Sequence, residues 1–205
     1  MKRKLFLGAS IVTLLLGTVS CGGSEETTED TDVTDSTAIE DVVEATTYEV
    51  DTAASVINWY NVSDGEKGHY GYVKLLDGSY TAEGEKVTAA SLTVNMNTIT
   101  VTDEMGGDKL QGHLMSPDFF DVNQYASASF NFDRHEDGVI YGTVNVAGVE
   151  LPVEAPVTVK EGSVEADDFK VNMVDLPFFQ QERSEAPEKE WHDPLIGFTA
   201  TIVAK

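Results

Sequence analysis

The sequence predicts an all-β fold, an antiparallel barrel or sandwich of about eight strands, and three observations carry that expectation. Apolar and polar residues alternate with a period of two in run after run, which gives each run one buried and one wet face. Asp–Gly and Glu–Gly pairs fall between the runs at hairpin spacing. No long segment repeats its apolar residues every three or four positions. Of the two architectures a closed barrel is expected, because closure leaves no strand edge exposed, and about eight strands enclose room for one small ligand.

The first 47 of the 205 residues stand outside that pattern. Three basic residues among the first four precede a largely apolar run over residues 5–19, short of the roughly 20 residues that span a membrane. With Ser20 before the cleavage point, residues 1–20 read as a secretory signal peptide. Cys21, the only cysteine, follows. TVSC at residues 18–21 resembles a lipobox, which implies lipidation of Cys21 and an exported, membrane-anchored lipoprotein facing the periplasm or the cell surface. An unpaired thiol is otherwise unusual in an exported chain, and one cysteine leaves no intramolecular disulfide and no CxxC motif. Residues 22–47 hold nine acidic residues with no basic or aromatic one, and such a composition is expected to stay a disordered tether. Residues 48–205 form one domain, carrying about −17 of the total charge of −23. That charge argues against nucleic acid and anionic headgroups as partners, and says nothing against a neutral, apolar ligand.

Within the domain, residues 55–60 (SVINWY) are rich in β-formers. Residues 92–99 set Leu92, Val94 and Met96 on one face against Thr93, Asn95 and Asn97 on the other. Phe130 and Phe132 stand opposite Asn131, and Val144 and Val146 alternate with Thr143 and Asn145. Val153, Ala155, Val157 and Val159 continue the pattern, and Phe198, Ala200 and Ile202 close the chain. Turns are expected at 64–65, 77–78, 83–84, 137–138, 161–162 and Gly148. The exception is LQGHLMSPDFFDV at residues 110–122, where a short helix or turn near 113–121 is expected. Ser116 would be its N-cap and Pro117 its first residue, laying Phe119 and Phe120 over a barrel end.

His113, Ser116 and Asp118 raise the question of a hydrolytic site. Ser116 precedes proline and lacks a Gly-x-Ser-x-Gly elbow, and Asp118 is as well explained by a helix N-terminus. An esterase acting through Ser116 is therefore the remote alternative. His69, His113, His135 and His192 form no HxH or HExxH pair, so no metal site is expected. Acidic residues are too abundant for any pair to signal acid–base chemistry. Residues 184–191 (SEAPEKEW) read as a charged loop, with Trp191 a candidate lid.

Four segments together resemble the YceI-like family of exported lipocalin-like proteins: YEVDTAASVINW (48–59), LTVNMNTITVTD (92–103), GHLMSPDFFDVNQYASASF (112–130) and VNVAGVELPV (144–153). The third is the most specific. The chain departs at Ala126, where the family commonly has proline, and at Met173, where an arginine is usual. The resemblance implies a lipocalin-like antiparallel barrel around a long apolar tail, such as a polyisoprenoid, an isoprenoid quinone or a fatty-acid derivative. It implies a binding or carrier protein, with no catalytic residue, cofactor or metal. Ile57, Trp59, Val94, Met96, Phe130, Phe132, Val144, Val146 and Phe198 are then expected to line the interior, with Phe119 and Phe120 at its end and His113 as a polar contact. Partners would be a long-chain apolar lipid and, through Cys21, a membrane; a homodimer is an open alternative. The rival reading is a surface lipoprotein whose barrel is a scaffold for protein contacts. Sequence leaves open whether the interior is hollow or packed, since both have apolar walls.

Overall fold

The computed structural model describes residues 44–63, 66–188 and 191–205. The expected signal peptide, Cys21 and nearly all of the tether lie outside them, as does the turn at 64–65. The described chain runs β1 (Thr46–Glu49), β2 (Val56–Ser63), β3 (Glu66–Glu83), β4 (Lys86–Val101), α1 (Gly107–Met115), β5 (Ser127–Glu136), β6 (Val139–Val146), β7 (Val149–Lys160), β8 (Ser163–Asn172), α2 (Pro177–Glu185) and β9 (Leu195–Val203). The first strand starts two residues inside the stretch expected to be tether. Thr46 and Thr47 pair with Ala82 and Thr81, where β-branched side chains suit a strand.

Every pairing is antiparallel. Neighbours run β3-β2-β9-β8-β7-β6-β5-β4, and β4 pairs back onto β3 to close the barrel. β1 adds no ninth stave. It pairs with the far half of β3 while β2 pairs with the near half, and Val50 bridges Ala204 just past β9, so β1 and β2 form one broken stave of eight. The break is a turn held by two polar residues. Asp51 Oδ1 accepts the Ala53 and Ala54 N–H groups at 2.9 and 3.1 Å, and the fully buried Ser55 accepts the Val203 N–H on Oγ at 2.9 Å.

The hairpin at Asp137 (φ 51°) and Gly138 (φ 75°) has the two left-handed residues of a type I′ turn, whose twist matches its flanking strands. The pair at 77–78, expected to be a turn, lies inside β3. It is paired with Thr93 and Leu92 and follows a bulge at the register shift between Leu75 and Asp77, one of several that bend the long strands far enough to close.

The helices correct two further expectations. α1 ends where a helix was expected to begin: Ser116 is its C-cap, and its N–H donates to the His113 carbonyl. Pro117 lacks an N–H and so cannot continue the helix ladder; a tight turn follows, with the Phe120 and Val122 N–H groups donating to the Leu114 and Met115 carbonyls. α2 forms where no helix was expected, with Pro177 in its first turn, and overlaps the expected charged loop of 184–191 only at Ser184 and Glu185. Alternation of strand direction puts both helices and the β6–β7 hairpin at one end, and the β3–β4, β5–β6 and β7–β8 hairpins at the other.

Candidate functional site

The barrel interior is hollow. A cavity of about 410 Å³ is walled by inward residues from β2 through β9. Along β4 its wall runs from Val87 to Ile99, and along β8 from Val164 to Val171, so it is long relative to its volume. Ile57, Leu92, Phe130, Val144, Phe169 and Phe198 face inward yet are only half-buried, as expected of side chains that border a void. One end is packed shut by Val50, Ala82 and Val159, which are buried without reaching the cavity wall.

At the other end α1, the turn after it and α2 bring together two Phe-Phe pairs and a histidine. The Phe119 ring lies 4.3 Å from Phe178, 4.6 Å from Phe120 and 6.0 Å from Phe179. His113 meets Phe119 and Phe178 edge-on at 5.8 and 6.2 Å. Such edge-to-face contacts are worth about 0.5–1.5 kcal/mol each beyond burial, so the lid is a cohesive unit. Phe179 anchors it, at 2 % exposure, while His113 stays exposed on the rim.

Of the residues expected to line the interior, Ile57, Trp59, Val94, Met96, Phe130, Val144, Val146 and Phe198 are in the cavity wall, and His113, Phe119 and Phe120 border its lidded end. Phe132 is not. It sits beside the register shift between Phe132 and Arg134, and packs against the core outside the wall. Trp191 does not fold over the mouth either: its Nε1–H donates to the Ala186 carbonyl at 2.9 Å, against the C-terminus of α2. Met173 is buried in the wall, and its thioether suits an apolar surface better than an arginine would. Sequence reasoning missed Tyr80, Phe169, Phe178 and Phe179. The twin Phe-Phe pairs at 119–120 and 178–179 were the available signal for the last two.

No hydrolytic arrangement forms around Ser116. Its hydroxyl donates to the His113 carbonyl at 2.8 Å and accepts the Asp118 N–H at 3.3 Å, which leaves it a turn-forming group. Among the described residues, no three His, Cys, Asp or Glu side chains are grouped to hold a metal ion.

The polar groups of the wall, Tyr80 apart, gather near the lid. His69 is held by the buried Asp103 at 3.0 Å, and His192 is hydrogen-bonded to Glu182. Glu182 is held below its ordinary range; burial opposes this, but hydrogen bonds from the His192 ring and backbone outweigh it. Trp59 Nε1 and Tyr80 Oη are buried with no hydrogen-bond partner among the described residues. A second recess of about 880 Å³ lies at the closed end among Glu83, Glu85, Lys86, His135, Glu136 and Asp137. It is larger but polar and open. There His135 Nδ1 accepts the Val87 N–H at 3.0 Å, and burial, then the Lys86 charge, lowers the histidine's pKa.

The family model for the YceI-like domain matches residues 48–201. No curated protein matches. Among solved structures, BcnA of Burkholderia cenocepacia is similar at 15 % identity and TM-score 0.49, with 76 % of this chain and 99 % of that one covered. A YceI protein of Campylobacter jejuni is similar at 17 % identity and TM-score 0.46, with 70 % and 87 % covered.

Proposed function

The chain belongs to the YceI-like family, whose barrel fold is known for binding polyisoprenoids, and from that premise we propose that it is a non-catalytic carrier of one long, apolar lipid. The observation that carries the reading is the lidded cavity of about 410 Å³, apolar over nearly its whole wall. Polyisoprenoids, isoprenoid quinones and fatty-acid derivatives are the ligand classes.

The energetics favour long chains. Each buried methylene contributes about 0.8 kcal/mol, whereas association costs on the order of 4–15 kcal/mol in lost freedom. A dozen methylenes contribute roughly 10 kcal/mol, so short chains fall below the threshold for useful affinity and long ones exceed it. The head of such a ligand belongs at the lid, where Trp59 Nε1–H, His69 and His113 offer polar contacts. Acylation of Cys21 and export to the cell envelope complete the proposal.

Native mass spectrometry of the purified protein, followed by organic extraction, tests it. A co-purifying apolar molecule of stoichiometric mass is the expected result. If none is found, and the protein then fails to load a polyprenol, a quinone and a fatty acid in turn, the carrier reading falls.

A further inference from the structure

Among the described residues, one polar side chain of the cavity wall is not explained by a ligand headgroup at the mouth. Tyr80 is 3 % exposed, its ring is in the cavity wall, and its hydroxyl has no hydrogen-bond partner among the described residues. It lies deep. Trp59 faces Gly71 across β2 and β3, and Tyr80 is nine residues further along β3 toward the closed end. At about 3.3 Å per residue that is roughly 30 Å along the strand, or somewhat over 20 Å along the axis of a barrel with ordinary strand tilt.

Buried hydroxyls are nearly always paired, and a lone one in an apolar wall is costly. Water is a poor partner here. A buried water needs two to four polar contacts, and of the two cross-strand neighbours of Tyr80, Ala90 offers none and Tyr48 at most its one hydroxyl. Nor does the ring pair with its neighbour: Tyr48 stacks on it at 5.0 Å between centroids, face to face, without a hydrogen bond between the hydroxyls. Burial, and then the neighbouring Tyr48, raises the Tyr80 pKa, so the hydroxyl keeps its proton and remains a donor.

We propose that Tyr80 is a specificity-determining residue, whose hydroxyl pairs with an uncharged oxygen at the innermost end of the bound chain. The ligand class is thereby narrowed from hydrocarbon-tailed lipids to apolar chains with a hydroxyl or carbonyl oxygen at the end that enters first. A carboxylate is excluded at that depth, because the cavity wall contains no lysine or arginine among the described residues to compensate its charge. This inference rests on the carrier reading above.

The test uses the delipidated full chain, its Tyr80→Phe variant and two probes of equal length, hexadecane and α,ω-hexadecanediol. A hydrogen bond of ordinary net strength corresponds to roughly 2- to 12-fold in affinity. Tyr80→Phe is expected to weaken the diol by about that factor and leave hexadecane unchanged. The variant's empty protein should melt higher than the wild type, because an unpaired buried hydroxyl has been removed. Equal weakening of both probes, or of neither, overturns the assignment of Tyr80 while leaving the carrier intact. A lower melting temperature for the empty variant overturns it too, since the hydroxyl would then be serving the fold. Failure of the wild type to take up either probe removes the carrier reading and this inference together.

Discussion

Asp103 ties the lid to the barrel through one buried carboxylate. Its Oδ1 accepts from Met105 and Gly106 N–H at 3.0 and 2.6 Å and meets His69 Nδ1 at 3.0 Å, while Oδ2 accepts the Tyr70 N–H at 3.3 Å. Burial by itself would raise its pKa. The hydrogen bonds from His69, Gly106 and Tyr70 outweigh that and hold it at about 2, against an ordinary 3.8. The folded value is therefore the lower one. Its contribution to stability is complete above about pH 4 and is lost as pH falls from there through about 2. Asp103→Asn is expected to be less stable than wild type at neutral pH, and the difference should shrink between pH 4 and pH 2. Thermal melts across that range check it, and a gap that is constant with pH would refute it. The sequence hid this role: Asp103 closes a recognisable strand, but its partner His69 is 34 positions away and the bond exists only after β3 and β4 pair.

The elements legible in advance are those with unbroken alternation, and the illegible ones share a physical cause. β6, β7 and β9 declare themselves because one face is apolar from end to end, and β4 and β5 through the alternating stretches at residues 92–96 and 128–132. β3 does not. Gly68, Gly71 and Gly78 interrupt its pattern, and each is dictated from across the sheet: a Cβ on Gly71 would lie 1.8 Å from the Thr100 carbonyl oxygen. In β8 the register shift between Ala166 and Phe169 breaks the period at two adjacent aspartates. α2 is nine residues long with one buried residue, Phe179, too short a stripe for a helical period to show. That single anchor makes α2 the vulnerable part of the lid. Phe179 also carries the Arg183 contacts, with a guanidinium nitrogen donating to the Phe179 carbonyl at 3.3 Å. Phe179→Ala should cost about 3–5 kcal/mol, much of it local to the lid. Hydrogen exchange is expected to lose protection in residues 177–185 while β4 to β7 keep theirs. Uniform loss across the barrel would show that α2 is part of one cooperative unit with it.

The molecule as a whole joins an apolar interior to a strongly acidic exterior, and that contrast bears on where a carrier must be held. With a net charge of −23, the chain is repelled by a bilayer surface bearing anionic lipids, so adsorption by charge is not available to it. A ligand as insoluble as a polyprenol resides in a membrane, and a carrier free in bulk solution would meet it rarely. The lipobox-like TVSC at residues 18–21 offers the remedy we propose, acyl chains on Cys21. One acyl chain gives only marginal, reversible binding, whereas two or more hold a protein stably. The 24 residues from 22 to 45 between that anchor and β1 set an upper limit of about 80 Å on the reach of the barrel from the bilayer. Cys21→Ala should therefore move the protein from the membrane fraction to the soluble fraction, with loss of the acyl mass from the intact chain. The purified variant should still take up the same probes as wild type, because no residue of the tunnel has changed. Retention of the variant in the membrane fraction at both low and high salt would mean that the barrel end itself, with its exposed Met105 and Tyr70, does the holding.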